Sequence, residues 1–319
     1  MKNILNYYYG LYPDEILYKD EKYFFEVDNS KYVLEIVDRP LSDIDALYKI
    51  NKEMLDNNIL VHEIKLNKEN KIITYINNLP YVLMELFINI EAKVSLPEVC
   101  YINNNTINLT YEKILDRSSW ITLWETKNDY FEALINEIGK KFPNLCTYAN
   151  YYIGLAENAI SYVKSVNSIK DNALLGICHK RMDTNSTLYE LYHPFKFIFD
   201  YRIRDASEYI KSLFFKGEDA YKIVEEYFLN NYLSFKEAVL FYGRLLYPSY
   251  FFDSYDDIIN ENMDEEKIEQ IILKSQEYEI FLTNINLYIS KLYNKQIPNL
   301  DWLIKKAIYK IAFKHPQHL

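Results

Sequence analysis

Glycine is scarce in this chain. There are six in 319 residues, and none lies between Gly10 and Gly139. Backbone that wraps closely round a phosphate depends on glycine, so the first third of the sequence carries no ready-made cradle for one. Cysteine is scarce too. Cys100, Cys146 and Cys178 are far apart, with no Cys-x-x-Cys pair and no His/Cys cluster at zinc-ligand spacing, and are read as reduced, mostly buried thiols. No apolar run approaches the roughly eighteen residues of a membrane span. Positive charge is in deficit: the net charge of −10 argues against broad nucleic-acid binding, which needs a basic face to neutralise phosphates. The first ten residues hold one lysine and a short tyrosine-rich stretch, with no signal-peptide core. The expectation is synthesis and folding in the cytosol.

What is present is the mix of a soluble globular protein, 49% apolar and 26% charged, long enough for one large domain or two lobes. Thirty-two tyrosines stand out. Asn, Ile, Lys and Tyr are all abundant and share A/T-rich codons, so genome composition accounts for most of them. Lys305, Lys306, Lys310 and Lys314 read as the solvated face of a last helix.

Along the chain, residues 15–19, 23–27, 32–37, 61–65, 72–76 and 81–86 are β-branched or aromatic runs, punctuated by Asp28-Asn29-Ser30 and Asn77-Asn78-Leu79-Pro80. Between the third and fourth lies a helical segment, 41–57, with Ile44, Leu47, Tyr48, Met54 and Leu55 on one face and Ser42/Asp45 spaced like a capping box. Residues 88–105 read as a hinge and a polar excursion. Thereafter 109–115, 120–138, 148–166, 205–215, 219–229, 234–246, 265–292 and 300–313 show helical periodicity, interrupted by extended pieces in 174–200. Three strands, a helix, more strands and then helices is the order of an α+β, bilobal, protein-kinase-like phosphotransferase fold. The expected division is a β-rich N-lobe over 1–87 and a large helical C-lobe over 88–319.

Phosphoryl transfer needs a glycine-rich cover, a lysine on the phosphates, a base, and carboxylates for Mg²⁺. The cover has no glycine. In the third strand, Lys31 to Val37, the lysine position holds Glu35, whose charge repels a triphosphate; Lys31 shares its face but stands about 13 Å up the strand. The run Cys178-His179-Lys180-Arg181-Met182-Asp183 stands where a catalytic His-Gly-Asp is expected, and the base position holds Arg181, which accepts no proton. Asp183 reads as part of a polar turn, and His179 as a satisfied core histidine. Asp200, ending the apolar run from Phe197, is the one acid placed to hold a metal, and alone it is too little for tight Mg²⁺ binding. Asp205 and Glu208 read as a structural capping box for the next helix. An arginine in place of the base suggests a charge-compensated cleft, with Arg181 against Asp200, Asp183 or Glu35.

The chain resembles the spore-coat kinase-like proteins of the CotS/YutH type, nearer the YutH branch, relatives of aminoglycoside and choline phosphotransferases. The resemblance rests on the stretch from Tyr151 to Tyr162, on Cys178-His179-Lys180-Arg181, on Asp200 through Arg204-Asp205 to Glu208-Tyr209-Ile210, and on Trp120 and Trp124. It implies a kinase-like fold in a protein attached to the endospore coat, among other coat proteins, with no established catalysis and no cofactor. It matches His179 to the loop histidine, Arg181 to the arginine replacing the catalytic aspartate, Asp200 to the metal-type aspartate and Asp205 to the loop-anchoring aspartate. Two other readings stand beside a non-catalytic coat component. One is a divergent ATP- and Mg²⁺-dependent small-molecule phosphotransferase using Asp200 and Asp183. The other is a ligand-sensing pseudokinase.

Overall fold

The computed structural model of the chain describes residues 1–87, 91–138, 141–261, 265–295 and 297. The basic helix expected over 300–313 lies outside them. In chain order come α1 (Lys2–Tyr9), β1 (Ile16–Lys19), β2 (Lys22–Val27), β3 (Ser30–Ile36), α2 (Ile44–Asp56), β4 (Glu63–Lys65), β5 (Thr74–Ile76), β6 (Leu79–Leu86) and α3 (Leu96–Asn105). They are followed by α4 (Trp120–Ile138), α5 (Pro143–Val166), β7 (Leu175–His179), α6 (Leu188–Leu191), β8 (Phe197–Tyr201), α7 (Arg204–Lys216), α8 (Ala220–Asn231), α9 (Phe235–Leu246), α10 (Ser249–Glu261) and α11 (Glu266–Tyr293). Contacts divide the chain into two compact units, 1–116 with 175–205, and 117–174 with 206 onward. Among the described residues no helix is long and apolar enough to cross a membrane.

The first unit is built on an antiparallel sheet of order β1-β2-β3-β6-β4, with β5 also paired to β6. Its two-residue turns, Asp20-Glu21, Asp28-Asn29 and Asn77-Asn78, all place both residues at positive φ. That is the backbone of the tight hairpin turn that matches strand twist, made here with Asp, Glu and Asn rather than glycine. Helix α2 buries Ile44, Leu47, Ile50 and Met54. The Ser42/Asp45 capping box does not form. The chain enters α2 through a 3-10 turn, Leu41–Asp43, with Asp43 N–H bonded to Pro40 O, and Ser42 Oγ turns to Asp43 instead.

The expected polar excursion contains a regular helix, α3, opened by a capping box of Ser95 and Glu98 with Pro97 in its first turn. It buries Val99 and Ile102, and its asparagine-rich end had hidden the period. Conversely, 109–115 holds only a 3-10 turn, Lys113–Leu115. Helix α3 lies against β7 of the β7–β8 hairpin. A Cβ on Gly176 would come within 2.7 Å of Asn103 O, so glycine here permits a backbone approach that a side chain would block. Asn103 Nδ2 donates to Ile177 O at 2.8 Å and Thr106 Oγ1 accepts from Ile177 N at 2.8 Å, tying the helix end to the strand.

The second unit is helical. Helices α4 and α5 pair, α9 packs on α5 and α11, and α10 packs on α11. Trp120 and Trp124 stack on each other, and Trp124 stacks on Tyr247. The Arg244 guanidinium lies 5.2 and 5.5 Å from the two indole rings. Helix α5 begins five residues before the apolar stripe announces it, and α1 and α10 were not anticipated.

Candidate functional site

The site that the sequence points to is assembled within the first unit. Strand β3 buries Val33, Leu34 and Glu35 in succession, so the carboxylate is carried into the protein by its strand. It is met there by three side chains. Tyr189 of α6 donates its hydroxyl to Glu35 Oε2 at 2.5 Å, and His193 Nε2 lies 2.5 Å from Oε1. Lys22 of the neighbouring strand stands 3.2 Å from Oε2 and 4.2 Å from the centre of the Tyr189 ring. His193 Nδ1 accepts the Phe195 N–H at 3.1 Å, which leaves the proton on Nε2 to be donated to Glu35. Burial alone pushes the Glu35 carboxyl up. The His193 ring, Lys22 and the Tyr189 hydroxyl more than reverse this and hold it well below the usual carboxylate range. Burial and the same carboxylate push the Tyr189 phenol well above its ordinary value.

His62 lies beside this cluster, within 5.5 Å of the Tyr189 ring and 5.6 Å of Phe87, centre to centre. It is fully buried, and neither ring nitrogen has a hydrogen-bond partner among the described residues. Burial, aided by His193, pushes it down to about 3, so the ring is neutral at ordinary pH.

The turn between β1 and β2, where a phosphotransferase covers its phosphates, is Asp20-Glu21. Beneath the β1–β3 strands opens a cleft of about 1190 Å³ lined by Lys19, Lys22, Phe24, Glu26, Lys31 and Tyr189, among others. Six acidic side chains and three lysines line it. The lysines have acidic neighbours: Lys19 Nζ lies 3.3 Å from Glu91, Lys22 is on Glu35, and Lys31 faces Glu26 across the strand pair. The field of this cleft is therefore acidic, unfavourable to a triphosphate.

The loop after β7 holds the remaining positions. His179 is buried, with Nδ1 2.7 Å from Asp205 Oδ2 and Nε2 2.8 Å from Leu191 O. Both ring nitrogens are taken up by partners within the protein, a carboxylate and a carbonyl, so neither is turned toward a substrate. Asp205 also accepts the His179 N–H at 3.0 Å and Asn103 Nδ2 at 3.3 Å. It anchors the loop rather than capping α7, inside which it lies. Glu208, its expected capping partner, belongs to the second unit. Its carboxylate takes Arg244 Nε at 2.6 Å, Ser249 Oγ at 2.6 Å and Lys211 Nζ at 3.2 Å. The capping box expected there is thus replaced by two separate networks, because α7 begins at Arg204 and puts both acids in its first turns.

Arg181 is exposed at the start of the loop. Asp183 closes a turn, its Oδ1 accepting Asn185 N at 2.7 Å and Ser186 N at 3.0 Å. Asp200 is buried; Oδ1 accepts Tyr201 N at 2.7 Å and Oδ2 lies 3.1 Å from Arg204 Nη1. Asp200 thus carries an arginine, Arg204, one turn along the chain, whose Nη2 also donates to Lys180 O at 3.0 Å. Among the described residues no three His, Cys, Asp or Glu side chains gather as metal ligands would. Sequence reasoning reached Glu35, His179, Arg181, Asp183, Asp200 and Asp205. It missed Lys22, His62, Tyr189, His193 and Arg204. Of these only Arg204, four residues from Asp200, carried a local signal.

An antiparallel sheet with one helix inserted after its third strand, a hairpin carrying the loop histidine and a terminal aspartate, and a helical remainder define a kinase-like fold of the phosphotransferase branch. Solved structures agree. An aminoglycoside phosphotransferase from Alicyclobacillus acidocaldarius superposes with a TM-score of 0.60 at 11% identity, covering 88% of this chain and 93% of its own. The choline kinase LicA from Streptococcus pneumoniae gives 0.50 at 14% identity, covering 89% and 97%. Within that class the chain belongs to the YutH family: a family model described as "Spore coat putative kinase YutH" matches residues 2–285. The endospore coat-associated protein YutH of Bacillus subtilis (strain 168) is 27% identical over 211 residues, 58% of this chain. The match spans 61% of that relative's length.

Proposed function

We propose that this protein is a non-catalytic, kinase-like component of the endospore coat, acting through structure and interaction rather than phosphoryl transfer. The observation that carries the non-catalytic half is Glu35. At the strand position where a phosphotransferase keeps its lysine stands a buried carboxylate, saturated by Tyr189, His193 and Lys22. Binding a triphosphate there would bring like charges together and break a closed polar network. The acidic Asp20-Glu21 turn, the arginine on Asp200 and the doubly engaged His179 point the same way. Residues that suit Mg·ATP are therefore not what this site presents, and no step is routed through it.

The coat assignment is supported by the family and by the Bacillus relative. It makes other coat proteins the expected partners and the spore surface the destination. A fluorescent fusion expressed during sporulation tests it. A shell around the developing spore is expected, and an even cytosolic signal with no enrichment at the spore overturns the coat role. One observation favours a second reading, a ligand-sensing pseudokinase: the cleft beneath β1–β3 is still large enough for a small molecule. Its acidic lining selects a cationic ligand over a nucleotide.

A further inference from the structure

Helix α11 is 28 residues long and amphipathic in an unusual way. One side is built into the helical unit through Ile268, Ile271, Tyr278, Leu282, Ile285 and Ile289. On the opposite side Leu273, Ile280 and Leu287 stand out, 79%, 45% and 61% exposed. They recur at seven-residue intervals, so they form one nearly straight apolar line along the helix, one apolar position per heptad with polar residues between on that face. The line is bounded by Glu269 at its N-terminal end and Lys291 at its C-terminal end, both exposed.

That arrangement reads the same backwards with opposite charge. Turned end for end about Ile280, a second α11 sets Leu273 against the other copy's Leu287, Ile280 against Ile280, Gln276 against Asn284 and Glu269 against Lys291. Every contact except Ile280 on Ile280, which lies on the axis, occurs twice, as two-fold symmetry requires. A parallel pairing would instead place Glu269 on Glu269 and Lys291 on Lys291. We infer that the outer face of α11 docks a second copy of this chain, antiparallel and two-fold, making the protein a homodimer through its helical unit. Charge complementarity selects the occupant: an unrelated apolar partner would need no lysine opposite the glutamate.

Sedimentation equilibrium over a concentration series tests this on the full chain. The wild type is expected to show a monomer–dimer equilibrium. Ile280→Glu, at an exposed position, is expected to give a monomer with unchanged far-ultraviolet circular dichroism. Glu269→Lys and Lys291→Glu are each expected to weaken the dimer about tenfold, since each pair occurs twice. The double variant restores the wild-type constant, an outcome that mere damage to the helix would not give. A wild type that stays monomeric at its solubility limit, or a dimer indifferent to Ile280→Glu, overturns the inference. So does a monomer in which cysteines placed at 273 and 287 become accessible to a thiol reagent only after residues 298–319 are removed. That result would give the face to the chain's own tail.

Discussion

Glu35 and the three side chains that close round it carry most of the functional argument at the scale of single residues. Tyr189→Phe deletes one hydrogen bond to a buried charge and changes little else. It is expected to cost about 1.5–3 kcal/mol in urea denaturation, the range for bonds to ionised groups. Glu35→Lys places a second ammonium beside Lys22 and against a donating His193, so the same measurement should show a larger loss rather than a recovered phosphate site. Of this cluster only Glu35 was legible in the sequence. A glutamate in place of a lysine, or Arg181 in place of a base, changes the chemistry by identity alone. Its partners were not legible: Tyr189 and His193 reach Glu35 from 154 and 158 residues away, and no local pattern records such a meeting.

Helices and strands were readable where one face is apolar and the ends are signalled. The helix expected over 234–246 forms as α9, capped by Ser234 with Glu237 as its reciprocal partner. Asn77-Asn78 and Asp28-Asn29 do turn their hairpins. The failures have local causes. Helix α1 is rich in tyrosine, which suits strands as well, and α3 ends in three asparagines. The cap proposed at Asp205 and Glu208 needed α7 to start two residues later than it does. Two glycines give a paired test at this scale. Gly154 lies inside α5, and a Cβ there meets nothing within 4 Å. Gly154→Ala is therefore expected to stabilise by about 0.5–1 kcal/mol. Gly176→Ala drives a methyl group to 2.7 Å from Asn103 O and is expected to destabilise by about 1–3 kcal/mol. Thermal unfolding of the two variants should move in opposite directions.

The two units of the whole molecule each hold a carboxylate that folding makes more acidic. In the helical unit burial raises Glu208, but Lys211, Arg244 and Ser249 outweigh it and bring it down to about 2. Two cations share that one carboxylate, so Lys211 is left less well compensated, and burial lowers it to about 8. A carboxyl whose folded value is depressed contributes stability that is present above its unfolded value, near 4.5, and lost as the pH falls toward the folded one. Unfolding free energy should therefore decline from about pH 4.5 to about pH 2. Glu208 accounts for roughly 3 kcal/mol of that decline, with Glu35 adding to it. In Glu208→Gln the slope over that window should flatten, although the variant is less stable at neutral pH because Lys211 loses its counter-charge. The central claim, that a kinase-like fold has exchanged its nucleotide site for a closed polar network, is tested most directly by calorimetric titration of the intact protein with Mg·ATP. The account predicts no saturable heat. A saturable isotherm abolished by Asp200→Ala, accompanied by ATP turnover, would contradict it.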